Sequence, residues 1–139
     1  MVNLDGMKYK KGNFSSYYKF TRHIGIKLVL DKEHQQREYD RMVKLFKKFP
    51  KNVCRPVGYI QCLKDGKKVL AILVEHINGR SPQKRKWDDS IEREKLEQNL
   101  LLTDLHNFNV KVVKGRGIVV VDFACHVSDD EIEYIAGNI

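Results

Sequence analysis

The sequence predicts an α+β fold, and three observations carry that prediction. Residues 24–30 alternate along a strand, with Ile24, Ile26, Leu28 and Leu30 on one face and Gly25, Lys27 and Val29 on the other. The apolar runs 57–63 and 69–76 flank a Lys64-Asp65-Gly66-Lys67 turn, the pattern of a β-hairpin. Between these strands, the stretch from Asp31 to about Phe49 repeats its apolar residues at helical spacing. Such a set packs as a small antiparallel sheet with one helix laid on it. A second helix and a second hairpin follow.

The elements can be taken in order. Residues 1–11 are polar and basic and begin as a loose arm or a first strand. Gly12 to Phe20 reads as a turn into a strand, because Tyr17, Tyr18 and Phe20 suit a half-buried pleated surface. After the strand 24–30, Asp31 is a good helix N-cap. Tyr39, Met42, Val43, Phe46 and Phe49 give the helix its apolar positions. Glu38 lies on the same side as Met42 and Leu45, so it faces partly inward and calls for a cationic partner; otherwise it sits on a solvated rim. Pro50 ends the helix. Asn78-Gly-Arg-Ser-Pro82 is the candidate hinge, giving two parts, 1–77 and 78–139. The run Lys84-Arg85-Lys86 reads as solvated surface and Trp87 as a packing anchor. Asp89 or Ser90 caps a helix reaching about Leu102, with Ile91, Leu96, Leu100 and Leu101 apolar. Residues 110–113 and 118–121 form a hairpin through Lys114-Gly-Arg-Gly117. Ser128-Asp-Asp-Glu131 is a capping box for a short helix with Ile132, Ile135 and Ala136 on its apolar side.

Composition narrows the function classes. A chain of 139 residues is one domain with room for a core. The formal net charge of +8 points to anionic partners: nucleotides, nucleic acid or an acidic protein surface. Three cysteines, Cys54, Cys62 and Cys125, form no CxxC pair, which argues against a disulfide scaffold or a zinc site and for a reducing, cytoplasmic setting. No apolar run approaches membrane-spanning length. No membrane partner is expected.

The chemistry gathers late in the chain. Asp104 and Asn109 lie five positions apart after the second helix, and Asp122 comes at the end of an apolar strand. One carboxylate can orient a hydroxyl and accept its proton. The carboxamide and the other carboxylate can hold Mg²⁺ on a polyphosphate. Each also has a plain reading: Asp104 as a helix-terminal cap, Asn109 as a turn former, Asp122 as a strand-end turn residue.

The order of these residues resembles the protein-kinase superfamily. Asp104-x-x-x-x-Asn109, a hairpin and then Asp122-Phe-Ala124 resemble its catalytic loop and metal-binding Asp-Phe-Gly. The wording Thr103-Asp-Leu-His-Asn-Phe-Asn109 is similar to the atypical branches, the RIO kinases and aminoglycoside phosphotransferases. Upstream, Gly12-x-Phe14-x-x-Tyr17 resembles the back half of the glycine-rich loop, with Lys10 and Ser15 at the positions of its other glycines. Ile24-Gly-Ile-Lys27 resembles the Val-Ala-Ile-Lys strand, and 37–45 the helix whose glutamate pairs with that lysine. The likeness spans about residues 12–124.

The resemblance implies a protein-kinase-like fold with a small antiparallel N-lobe sheet, one αC-like helix and a much reduced C-lobe. It implies catalytic roles for Asp104, Lys27 and Glu38, nucleotide contacts from Gly12, Ser15, Lys27, Glu75 and Ile77, and metal ligation by Asn109 and Asp122. It implies ATP and Mg²⁺. The pattern departs from the family at Leu102 and Thr103, which stand where the family has His-Arg, and only about fifteen residues follow Asp-Phe-Ala. Three functions follow. The first is a minimal ATP-dependent phosphotransferase, acting on a protein hydroxyl or on itself. The second is a catalytically inactive module of pseudokinase type that engages a partner protein. The third is a basic nucleic-acid binder, motivated by residues 8–11, 47–51 and 84–86 and ranked last for want of an aromatic recognition motif. The reduced lobe would leave Ile132 and Ile135 to a homodimer, and the small size would suit a viral protein.

Overall fold

The computed structural model describes residues 1–12, 15–102 and 105–123. The capping box at Ser128 and the apolar positions Ile132 and Ile135 lie outside them, as does Cys125. The architecture is α+β. The chain forms two units, residues 1–39 with 55–76 and residues 40–54 with 77–139.

The first unit is built on a six-stranded sheet. Its strands are β1 (Val2–Asn3), β2 (Tyr9–Lys11), β3 (Ser15–Lys19), β4 (Ile24–Val29), β5 (Pro56–Lys64) and β6 (Lys67–Glu75), in the spatial order β1-β5-β6-β4-β3-β2. The sheet is mixed rather than purely antiparallel, because β1 runs parallel to β5 with Val2 opposite Cys62. The N-terminal arm thus supplies both edge strands. Period-two alternation sends Leu28, Ile26, Tyr18, Leu73, Ala71, Ile60 and Cys62 to one face, where they pack with Leu4, Val2 and Met7. Cys62 belongs to this apolar cluster, and burial pushes its thiol up from the ordinary value. It is a core residue rather than a nucleophile. Leu30, expected on that face, is 78% exposed, because β4 ends at Val29 and the chain turns into the helix cap.

Asp65-Gly66 makes the tight turn between β5 and β6, both residues taking positive φ. The carboxylate of Asp5 accepts from the Asp65 N–H at 3.1 Å, pinning the arm to the turn.

Helix α1 (Lys32–Lys48) starts where Asp31 predicts. The Asp31 Oδ1 accepts from Glu33 N–H at 2.8 Å and His34 N–H at 3.2 Å. The buried stripe of α1 is Gln35, Glu38, Met42 and Leu45. Val43, expected in the apolar face, is 41% exposed instead. The helix is rotated toward its two buried polar residues, both of which have partners in the first unit.

The second unit contains the end of α1, α2 (Lys84–Asp88), α3 (Ile91–Leu100), a 3₁₀ turn (Asn107–Asn109) and the hairpin β7 (Val110–Val113) with β8 (Gly117–Val120). The basic run 84–86 is helical, because Trp87 anchors it: the ring is buried and its Nε1–H donates to the Leu105 carbonyl at 2.8 Å. Ser90 caps α3, accepting from Arg93 N–H at 3.1 Å, and Leu101 closes it in a left-handed conformation.

Segment 50–54 runs beside β8. Val53 bridges Val120, the Cys54 N–H donates to the Val120 carbonyl at 3.0 Å, and the Val120 N–H donates to the Asn52 carbonyl at 2.8 Å. The Arg116 guanidinium donates to the carbonyls of Lys51, Pro50 and Val53 at 3.0, 3.2 and 2.9 Å. On the other side, Arg80 bridges Val112. Gly79 permits that approach, since a Cβ there would lie 2.5 Å from the Val112 carbonyl oxygen. Among the described residues no helix is long and apolar enough to cross a membrane.

Candidate functional site

In the first unit, the site begins with Lys27 and Glu38. Lys27 stands in β4 between β3 and β6, opposite Tyr17 and Ile72. Alternation turns it away from the Ile26 face and toward α1. Glu38 lies one helical turn beyond Gln35 on the buried stripe of α1. The two meet: Lys27 Nζ donates to Glu38 Oε1 at 2.5 Å, with the residues only 5% and 6% exposed. An isolated ammonium or carboxylate at that depth would pay a large desolvation cost, so each needs the other.

Gln35 fixes the geometry of the pair and was not anticipated. Its Oε1 accepts from the Val29 N–H at 2.9 Å, and its Nε2 donates to the Leu70 carbonyl at 2.8 Å. One amide thus ties α1 to β4 and to β6. Its spacing of three residues before Glu38 places both on one helical face, which is the signal the sequence offered. Tyr39, on the next residue, stacks at a tilt on Tyr59 of β5 with ring centroids 4.6 Å apart.

The remaining first-unit candidates sit at the ends of strands. The Gly12 N–H donates to the Ser15 carbonyl at 2.8 Å, so that N–H is engaged within the chain. Between them, Asn13 and Phe14 fall outside the described residues. Glu75 ends β6, where its Oε1 accepts from Arg55 N–H at 3.1 Å and its own N–H donates to the Arg55 carbonyl at 2.8 Å. The next residue, His76, donates its N–H to the His23 carbonyl at 2.8 Å. Its ring Nδ1 lies 2.6 Å from the Tyr17 hydroxyl. This contact joins positions 59 residues apart and left no periodic trace in the sequence.

In the second unit, Asn109 and Asp122 flank the open end of the β7–β8 hairpin. Val110 pairs with Val120, and the Val121 N–H donates to the Asn109 carbonyl at 2.8 Å. Backbone pairing therefore brings the two residues to the same end of one ladder, where both are partly exposed. Phe123, next to Asp122, is buried and anchors that end. A carboxamide oxygen and a carboxylate are hard donors. Two such ligands could hold a hard divalent cation such as Mg²⁺. Ile77 is buried in this unit.

Asp104 lies outside the described residues. Its described neighbours are well held. Leu102 and Leu105 are buried, the Leu102 N–H donates to the Glu97 carbonyl at 3.0 Å, and the Leu105 N–H donates to the Glu97 carboxylate at 3.1 Å. Glu97 was also unanticipated. It joins α3 to the segment that follows it, and its other oxygen lies 3.3 Å from Arg93 Nε.

No protein-family model matches the chain, and a search of curated proteins finds no match.

Proposed function

We propose that this chain is a minimal protein-kinase-like phosphotransferase that uses ATP with Mg²⁺. The observation that carries the reading is the buried Lys27–Glu38 pair. A buried ion pair is seldom the most stable filling of a core, since apolar residues of like volume often do as well or better. A cation held this rigidly on a central strand suits a task that needs a fixed positive charge, and phosphate neutralisation is such a task.

On this reading Lys27 neutralises phosphate oxygens and Glu38 positions it. Gly12 and Ser15 border the phosphate loop, and the backbone of Glu75 and Ile77 meets the base. Asn109 and Asp122 would hold Mg²⁺, which would supply further neutralisation of the phosphates. Asp104 accepts a hydrogen bond from the acceptor hydroxyl and takes its proton. The hydroxyl oxygen bonds to the γ-phosphorus, the bond from that phosphorus to the bridging oxygen breaks, and ADP leaves. Catalysis of this kind is mostly positioning and electrostatics. The acceptor is a protein hydroxyl, on a substrate or on a second copy of the chain.

The test is Mg²⁺-dependent thermal stabilisation by ATP, followed by transfer from γ-labelled ATP. Wild type is expected to be stabilised and to transfer label, and Asp104→Ala to lose transfer by about 100-fold or more. Asp122→Asn is expected to lose the Mg²⁺ dependence. Stabilisation without transfer by wild type would leave a nucleotide-binding module that engages a partner. Absence of both would end the proposal.

A further inference from the structure

The strand that carries Lys27 has a glycine two residues before it, on the same face. Gly25 lies inside the sheet, paired with Lys19 of β3 and Val74 of β6. A glycine in the interior of a strand marks a place where something approaches the backbone closely. Here it is the ring of Tyr17. A Cβ at Gly25 would run into the Tyr17 hydroxyl and the ring carbons beside it. The ring therefore rests directly on the bare backbone, next to the Lys27–Glu38 pair. At its far end the hydroxyl meets His76 Nδ1 at 2.6 Å. The two rings lie within 24° of parallel, with centroids 5.8 Å apart. Together the two rings link β3 to the residue after β6.

We infer that this Tyr17–His76 clasp is an internal occupant of a planar-ligand slot, and that a nucleobase enters only when the Tyr17 ring swings away from Gly25. The inference rests on the proposal that Lys27 meets the phosphates of a nucleotide. The floor of the slot is Gly25, flanked by the buried Val74. This floor is flat and apolar, as a heterocycle requires, and it adjoins the fixed cation. With Tyr17 seated there, no separation remains between ring and backbone for a second plane. Tyr17 is only partly buried, so its side chain has solvent to rotate into. The hydroxyl–imidazole hydrogen bond is one of the contacts that opening must break. Tyr17 is then the residue that determines whether the base contributes to binding, while Lys27 answers to the phosphates alone.

The experiment compares two ligands, ATP and inorganic tripolyphosphate, each with Mg²⁺, by titration calorimetry on the full chain. Tripolyphosphate has no base and reports the phosphate site. In wild type the two are expected to bind within about threefold of each other. Tyr17→Ala opens the slot, so ATP is expected to tighten at least tenfold while tripolyphosphate stays within about twofold. Tyr17→Phe keeps the ring and its packing but loses the hydrogen bond, and is expected to show a smaller gain for ATP in the same direction. An unchanged or weakened ATP affinity in both variants overturns the clasp, weakening being the mark of a tyrosine that stacks on the base instead. Replacing both members of the buried pair, as Lys27→Met with Glu38→Leu, is expected to abolish tripolyphosphate binding. If it does not, the phosphate assignment fails, and that failure is visible whether or not Tyr17 changes the ATP preference.

Discussion

A lysine ammonium in a protein interior is stable only while its charge is answered, and Lys27 is answered by Glu38. Removing one partner strands the other. Lys27→Met is expected to destabilise the protein by about 3–5 kcal/mol, while Lys27→Met with Glu38→Leu is expected to recover most of that loss, because no buried charge remains. Urea denaturation of both variants measures the difference. Equal destabilisation by single and double variants would mean the pair acts through packing rather than charge. At this scale the kinase resemblance named the pairing, and only the inward turn of Glu38 and the facing of Lys27 were legible in helical spacing and strand alternation. Gln35, Glu97 and the Tyr17–His76 contact were not. The hydrogen bonds that tie Gln35 and Glu97 into the fold go to backbone N–H and C=O groups, and the Tyr17–His76 contact joins positions 59 residues apart; residue spacing names none of these partners.

Element boundaries follow from capping and from what each face meets. Asp31 follows β4 and caps α1, and its two backbone hydrogen bonds, from His34 first and Glu33 second, hold its carboxyl below the value of 3.8 for an unperturbed aspartate. A carboxylate with a lowered folded-state pKa stabilises the fold above its unfolded pKa and loses that effect as pH falls through the folded one. Asparagine caps a helix nearly as well but carries no charge. Wild type is therefore expected to exceed Asp31→Asn in denaturation midpoint at neutral pH. The gap should shrink below about pH 4, in line with the carboxyl's own titration. A gap independent of pH would assign the cap no charge effect. Where the structure adds an element or decides between two readings, the cause is local. The arm 1–11 is polar and basic, yet Val2 and Leu4 find apolar partners on β5 and the core, so two short edge strands form. The run 84–86 looks like solvated surface and is so, but the buried Trp87 organises it into a helical turn. Val43 faces outward because the polar residues Gln35 and Glu38 occupy the buried stripe; the inward turn of Glu38 follows from its spacing to Met42 and Leu45, whereas counting apolar residues passes over Gln35.

Across the whole molecule the charge is unevenly spread. Residues 1–76 hold seventeen Lys and Arg against seven Asp and Glu, whereas residues 77–139 hold nine against eleven. The excess lies in the part of the chain that carries Lys27. Two kinds of cation are mixed there, and salt separates them. Tyr9–Lys11 of β2 is an exposed edge strand, and its lysines are fully open to screening; Lys27 is buried and paired, so it is screened much less. A polyanion that binds the exposed lysines should release counterions and weaken steeply with salt. Fluorescence anisotropy with single-stranded RNA is expected to show affinity falling about 100-fold or more between 50 and 500 mM salt, on the counterion-release estimate for several phosphate contacts. MgATP bound at Lys27 is expected to lose less than about tenfold over the same range. If MgATP weakens as steeply as RNA, the nucleotide is riding on surface lysines, and the +8 charge rather than the buried pair accounts for its binding. If RNA instead holds its affinity at high salt, contacts beyond phosphates are present, and nucleic acid moves from the least to the best supported of the three partner classes.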